Sequence, residues 1–70
     1  MEPRECREFI ARAIRERAKD KALTLHQVAD LAGLSRGHLE RVLACKNSPT
    51  ADWLTRVANV LGCRPRDLLP

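Results

Sequence analysis

The stretch from Thr24 to Ser35 constrains this chain more than any other feature. Thr24 followed three residues later by Gln27 forms a capping box: the hydroxyl satisfies one orphan N–H of a helix start, and the amide reaches back to a second. Gly33 then stands where a helix end calls for a left-handed residue, a conformation glycine adopts without a Cβ penalty. Ser35 is again a favoured N-cap. A start, a stop and a second start packed this closely leave room only for two short helices joined by a tight turn.

Periodicity fills in the rest. Pro3 suits a first helical turn, and the segment from Arg4 to about Lys19 lacks both Gly and Pro. Cys6, Ile10, Ala13 and Ile14 recur at i, i+4, i+7 and i+8, which predicts a one-faced helix with Phe9 flanking the stripe as a core residue. In the second helix Leu25, Val28, Ala29 and Ala32 share a face, with Leu31 at its edge. The third helix is expected from about Arg36 to Ala44 and buries Leu39, Val42 and Leu43. Opposite them lie Gly37, Arg41 and Ala44, flanked by Arg36, His38 and Glu40. A surface centred on small, Arg, small can approach another body closely and project one guanidinium into it. Lys46-Asn47-Ser48-Pro49 reads as a loop, with Thr50 as the next N-cap. The fourth helix, Ala51 to about Leu61, buries Leu54, Val57, Ala58 and Leu61 and stops at Gly62, with Trp53 and Val60 at the edge of its apolar face. Pro65 begins a last turn through Leu68 and Leu69. The expectation is one all-α domain over residues 1–70, with a helix-turn-helix unit at about 24–44.

Composition narrows the function classes. Seventy residues hold one small domain, and no apolar run approaches the roughly 20 residues of a membrane helix. Met1-Glu2-Pro3-Arg4-Glu5 leads into no secretory apolar region, so the expected location is cytoplasmic. Cys6, Cys45 and Cys63 form no C-x-x-C pair, and His26 and His38 add no metal-ligand spacing, so reduced thiols and no metal are expected. Neither a Gly-rich phosphate loop, a G-x-S-x-G elbow nor an H-E-x-x-H helix is present, so neither catalysis nor a cofactor or small-molecule ligand is expected. Ten of the thirteen basic residues are Arg within a net charge of +4, which suits phosphate and guanine without identifying them.

Taken in order, Leu23-Thr24, Val28-Ala29, Gly33-Leu34-Ser35-Arg36, Leu39, Arg41-Val42, Pro49, Leu54, Ala58 and Leu61-Gly62 resemble the Cro/lambda-repressor (XRE-type) helix-turn-helix family. The resemblance implies a compact five-helix, all-α fold whose third helix enters the major groove of double-stranded DNA. It places base contacts at Arg36, Gly37, His38 and Arg41, and phosphate contacts at His26, Gln27, Ser35, Lys46, Asn47 and Ser48. It also implies a bacterial or phage regulator that binds a pseudo-palindromic operator as a homodimer, most simply as a repressor; the place of Trp53 and Val60 at the edge of the fourth helix's apolar face makes them, with Leu69, the expected apolar dimer patch. The chain departs from the family pattern in three places. Leu25 stands where the family often has Gln, with Gln27 as the substitute contact. Cys45 replaces the usual Gly after the third helix, so the left-handed turn is expected at Asn47 and the helix end later. Ala18 and Leu43 replace both halves of a common Arg–Glu pair, which removes a buried charge pair without orphaning either partner.

Each assignment has a plainer competitor. Arg36, Arg41 and Lys46 compete with solvated surface cations, His38 with a surface histidine and Cys45 with an inert thiol. Trp53 and Val60 compete with simple completion of the core. At the level of the whole chain the alternative is an antitoxin-type protein-interaction module that binds DNA secondarily.

Overall fold

Every α-helix of the chain ends in the same hydrogen-bonded closure. The computed structural model describes all residues 1–70 as α1 (Pro3–Asp20), α2 (Leu25–Ala32), α3 (Arg36–Leu43), α4 (Ala51–Leu61) and a terminal 3₁₀ turn, Pro65–Leu68. After each α-helix, one residue takes left-handed φ and the next donates its N–H back to a carbonyl five residues earlier. These closing bonds are Leu23 to Ala18 at 2.9 Å, Leu34 to Ala29 at 2.8 Å, Lys46 to Arg41 at 2.9 Å and Cys63 to Ala58 at 3.0 Å. This is the Schellman closure, which satisfies carbonyls that the helix end would otherwise orphan.

Two of the left-handed positions are Gly33 (φ 69°) and Gly62 (φ 70°), as their placement in the sequence implies. The other two are Ala22 (φ 56°) and Cys45 (φ 62°). Cys45 therefore corrects the expectation that Asn47 makes the turn, and α3 stops at Leu43 rather than later. The closure dominates: a Cβ at a left-handed residue costs about 1–2 kcal/mol, less than several buried carbonyls left without partners.

The helix starts follow their side-chain chemistry. Thr24 Oγ1 accepts from the Gln27 N–H at 3.1 Å, while Gln27 Oε1 accepts from the Thr24 N–H at 2.8 Å. Ser35 Oγ accepts from the His38 N–H, and Thr50 Oγ1 from the Trp53 N–H. These caps fix where α2, α3 and α4 begin, and so which of their faces turn inward.

The core contains fifteen buried residues, all of them apolar, drawn from every helix and the terminal turn. Leu39 and Val42 of α3, Val28 and Ala29 of α2, and Val57 and Ala58 of α4 are almost completely excluded from solvent. Ile14 comes in from α1 and Leu68 from the 3₁₀ turn, so even the last turn is part of the packing. Ala18 and Leu43 are both buried, apolar where the family often has an ion pair. The buried stripe of α1 is Ile10, Ala11, Ile14 and Ala18. It is rotated by roughly 70° on a 3.6-residue wheel from the expected stripe through Cys6 and Ala13. That rotation carries Phe9 to the outside, where it is 36% exposed, correcting its assignment to the core. No helix is long and apolar enough to cross a membrane.

The closures give opposite expectations for glycine. A Cβ at position 33 would meet no atom within 4 Å, so Gly33→Ala incurs only backbone strain and should lower stability by about 1 kcal/mol. Ala22 is exposed and left-handed, so Ala22→Gly should raise it by about 0.5–1 kcal/mol, or several degrees in thermal midpoint. Thermal unfolding followed by circular dichroism reads both.

Candidate nucleic-acid interface

The Gly33 turn lays α2 and α3 side by side so that polar residues one helical turn apart face each other. On the exposed side His26 Nε2 meets Glu40 Oε1 at 2.9 Å. One turn along, Arg36 grips Asp30 with two nitrogens, Nε to Oδ1 at 3.0 Å and Nη2 to Oδ2. His26 and Asp30 on α2 thus clasp Glu40 and Arg36 on α3 in antiparallel register. Both pairs are solvent-exposed, so they contribute register more than stability. The Arg36 hydrogen bond holds the Asp30 carboxyl below the usual carboxylate range, and Asp30 in turn raises Arg36.

Arg36 was expected at a base edge, yet two of its three nitrogens are already engaged by Asp30. To use that fork on a base it must release the carboxylate. His38 was also expected at a base. It is half-buried instead, its ring centroid 5.7 Å from that of Trp53 with the planes tilted by 36°. Trp53 is only 7% exposed and belongs to the core, which corrects its assignment to an exposed dimer patch. Its indole Nε1 is buried without a partner. Of that patch, Leu69 remains on the surface at 39% and Val60 is half-buried.

Arg41 is exposed on the outer face of α3 and makes no ion pair. Its side chain runs back along the helix, as long helical side chains do, and Nη1 lies 3.5 Å from where a Cβ on Gly37 would stand. A Cβ there would stand at ordinary van der Waals distance, so the guanidinium lies close against the helix beside Gly37. Asn47 approaches from the following loop. Its side-chain amide lies between Arg41 Nε, 3.2 Å away, and the Lys46 carbonyl, 3.1 Å away, and this pairing of donor and acceptor assigns the amide oxygen to Nε and the amide nitrogen to the carbonyl. Both Nη groups of Arg41 remain open.

The residues expected at phosphates divide in the same way. Gln27 and Ser35 are committed to helix caps, and His26 is paired with Glu40. Ser48 Oγ accepts from Arg7 Nη1 at 3.4 Å, which ties the loop after α3 to α1. Lys46 is exposed, and its ammonium makes no hydrogen bond or ion pair. Arg41 and Lys46 are thus the cations of this surface whose charged ends are uncommitted.

One feature escaped the reading of the sequence. Arg15 and Lys19, one turn apart near the end of α1, line an open groove with Leu23, Thr24 and Leu25 at the start of α2. The i,i+4 spacing of two cations ahead of a capping box was the available signal. Their common groove depends on how α1 crosses α2, which spacing alone does not report.

Against known proteins, a family model described as a helix-turn-helix domain matches residues 10–70. No curated protein matches the chain. Among solved structures, the chain is similar to the clp gene regulator ClgR from Corynebacterium glutamicum, with a TM-score of 0.80 and 27% identity over 89% of this chain and 66% of that one. It is also similar to the restriction-modification controller protein C.AhdI from Aeromonas hydrophila, with a TM-score of 0.83 and 24% identity over 90% of this chain and 96% of that one. A third similar structure is hydroxypropylphosphonic acid epoxidase from S. wedmorenis, with a TM-score of 0.80 and 21% identity over 93% of this chain and 35% of that one. The chain spans just under two thirds of ClgR and about a third of the epoxidase. The fold is therefore shared by proteins of different function, and the site must carry the functional reading.

The Asp30 and Asp67 carboxyls both give an acid-sensitivity test. Asp67 is lowered by the hydrogen bond its Oδ2 accepts from the Arg64 N–H at 2.9 Å. A carboxyl whose folded value is depressed contributes stability above its unfolded value and loses it as pH falls through the folded one. Stability should therefore drop as pH falls below the ordinary carboxylate value of about 4, and the double variant Asp30→Asn, Asp67→Asn should flatten part of that drop. Urea unfolding across that range measures it.

Proposed function

Because the chain belongs to the helix-turn-helix domain family, of the Cro/lambda-repressor type, we propose that it binds double-stranded DNA sequence-specifically and regulates transcription by occupying its site. The observation that carries this reading is the outer face of α3, where Arg41 projects two uncommitted Nη groups beside Gly37. Two parallel N–H donors match O6 and N7 of guanine in the major groove, and a bidentate pair of this kind supplies about 1–3 kcal/mol of base discrimination. A residue without a side chain beside that guanidinium lets the helix approach the base edges closely.

The surrounding charges fit a DNA backbone on either side of that helix. Lys46 follows α3 directly, and Arg15 and Lys19 flank the start of α2. Such contacts set register and affinity without reading sequence. Arg36 serves as a second reader once it lets go of Asp30, or as a strut if it does not. Regulation by occupancy involves no bond-making step, so this reading assigns the domain no catalytic residue.

The reading includes a dimer. An eight-residue helix is about 12 Å long and touches only a few base pairs, too few to single out one site among a genome's competitors. Two copies related by a two-fold axis double the site and make it pseudo-palindromic, with half-site centres about 34 Å apart. Val60 and Leu69 are the apolar residues of the original patch that still reach the surface.

Selection of bound sequences from a random double-stranded pool provides the cognate site for the test. Arg41→Ala should weaken cognate binding and relax specificity at one base pair per half-site by about 1–3 kcal/mol. Lys46→Ala should weaken all sequences alike and reduce the salt slope by about 1. Fluorescence anisotropy at several salt concentrations reads both. Equal discrimination by wild type and Arg41→Ala would sink the base-reading assignment.

A further inference from the structure

We infer that Asn47 is a specificity-determining positioning residue, holding the Arg41 guanidinium by Nε so that both Nη groups are presented end-on to a base. This deepens the proposed function and rests on its reading of Arg41 as the base contact. It also reassigns Asn47, which the family resemblance places at a phosphate.

The geometry that carries this begins in the backbone. Cys45 turns left-handed, and the Lys46 N–H bonds to the Arg41 carbonyl at 2.9 Å. The start of the loop is thereby fastened to the same residue whose side chain is to be aimed. The next residue, Asn47, is half-buried beside it. One end of its side-chain amide lies 3.1 Å from the Lys46 carbonyl, where only a donor fits, which assigns nitrogen to that end and oxygen to the end that faces the guanidinium. In that assignment the oxygen accepts from Nε at 3.2 Å. Along the helix, Nη1 passes over Gly37, so the guanidinium is restrained at one end by Asn47 and lies beside a residue with no side chain.

An exposed Arg on a flexible stem loses much rotamer freedom when it forms a bidentate contact. A partner that bonds Nε beforehand removes part of that loss and leaves the two Nη donors parallel. It also excludes the side-on approach through Nε and one Nη, so only the end-on geometry is available to guanine. With both ends of its amide committed inside the protein, Asn47 acts through Arg41 rather than on the DNA.

The experiment compares wild type, Asn47→Ala, Asn47→Asp, Arg41→Ala and the double variant Asn47→Ala, Arg41→Ala. Binding is measured on the selected operator and its single-base-pair variants at two salt concentrations, with thermal midpoints as a folding control. Asn47→Ala should lose discrimination about three- to tenfold at the base pair that depends on Arg41, and at no other, with an unchanged salt slope. Asn47→Asp retains an acceptor for Nε but gives up the donor to the Lys46 carbonyl, so it should keep more discrimination at that base pair than Asn47→Ala even though its negative charge weakens binding to every sequence. In the Arg41→Ala background, Asn47→Ala should change nothing at that position.

Uniform weakening by Asn47→Ala with discrimination intact would overturn the inference and return Asn47 to a phosphate. Loss of discrimination by Asn47→Asp equal to that of Asn47→Ala would overturn it too. If Arg41→Ala loses discrimination and Asn47→Ala does not, the positioning role alone fails. If Arg41→Ala itself loses none, or no operator is selected, the base-reading premise fails and the positioning role falls with it.

Discussion

The left-handed turn at Gly33, followed at once by the Ser35 cap, is the constraint on which the other placements depend. It ends α2 with its last carbonyls satisfied and starts α3 three residues later, so the angle between them is set by a few backbone torsions rather than by loose loop geometry. Once that angle is set, His26 faces Glu40, Asp30 faces Arg36, and Leu39 and Val42 turn toward the core. The same rotation sends Gly37 and Arg41 outward. A helix this short has little propensity to form alone. Its position is held by the cap at its front, the closure at Cys45 behind it and the apolar residues beneath.

Those apolar residues divide the labour of α3 cleanly. A core of fifteen apolar side chains with no buried charged or polar residue has no preferred hydrogen-bonding register of its own, so specificity of packing comes from shape and from helix ends. This leaves the polar surface free for other tasks. Around α2 and α3 part of it is spent on internal pairing: Gln27, Ser35, His26, Asp30 and Ser48 each hold another part of the chain in place. On that side of the molecule, Arg41 and Lys46 are the cations whose charged ends remain unpaired.

Features encoded in side-chain chemistry at a helix end were legible in the chain itself. Thr24 with Gln27, Gly33, Ser35, Thr50 and Gly62 occupy the roles their residue types suggest, and the inward faces of α2, α3 and α4 follow from apolar spacing. Cys45 and Ala22 were not legible, because nothing in a thiol or a methyl marks a left-handed residue; the closure they serve is imposed by the whole helix end. Phe9 misled because the stripe on α1 was centred on Cys6 and Ala13, whereas packing selects Ala11 and Ala18. Trp53 misled for a different reason. A wheel drawn for α4 alone cannot see the His38 ring arriving from α3. The pairs His26–Glu40 and Asp30–Arg36 lie between these cases. Their i,i+4 repeats are visible, but their meeting requires the Gly33 turn to be known first. The Arg41–Asn47 contact lies furthest from the sequence, since it depends on a left-handed cysteine that residue preference argues against.

The central claim is that the outer face of α3, together with the loop that follows it, is the surface that meets DNA. Backbone amide shifts recorded while the protein is titrated with its selected operator test this most directly. The largest changes should fall on residues 36–41 and 46–48, with a second group around 24–27 at the start of α2. Changes centred on the outer face of α1 around Phe9 and Arg12, with α3 unmoved, would contradict it.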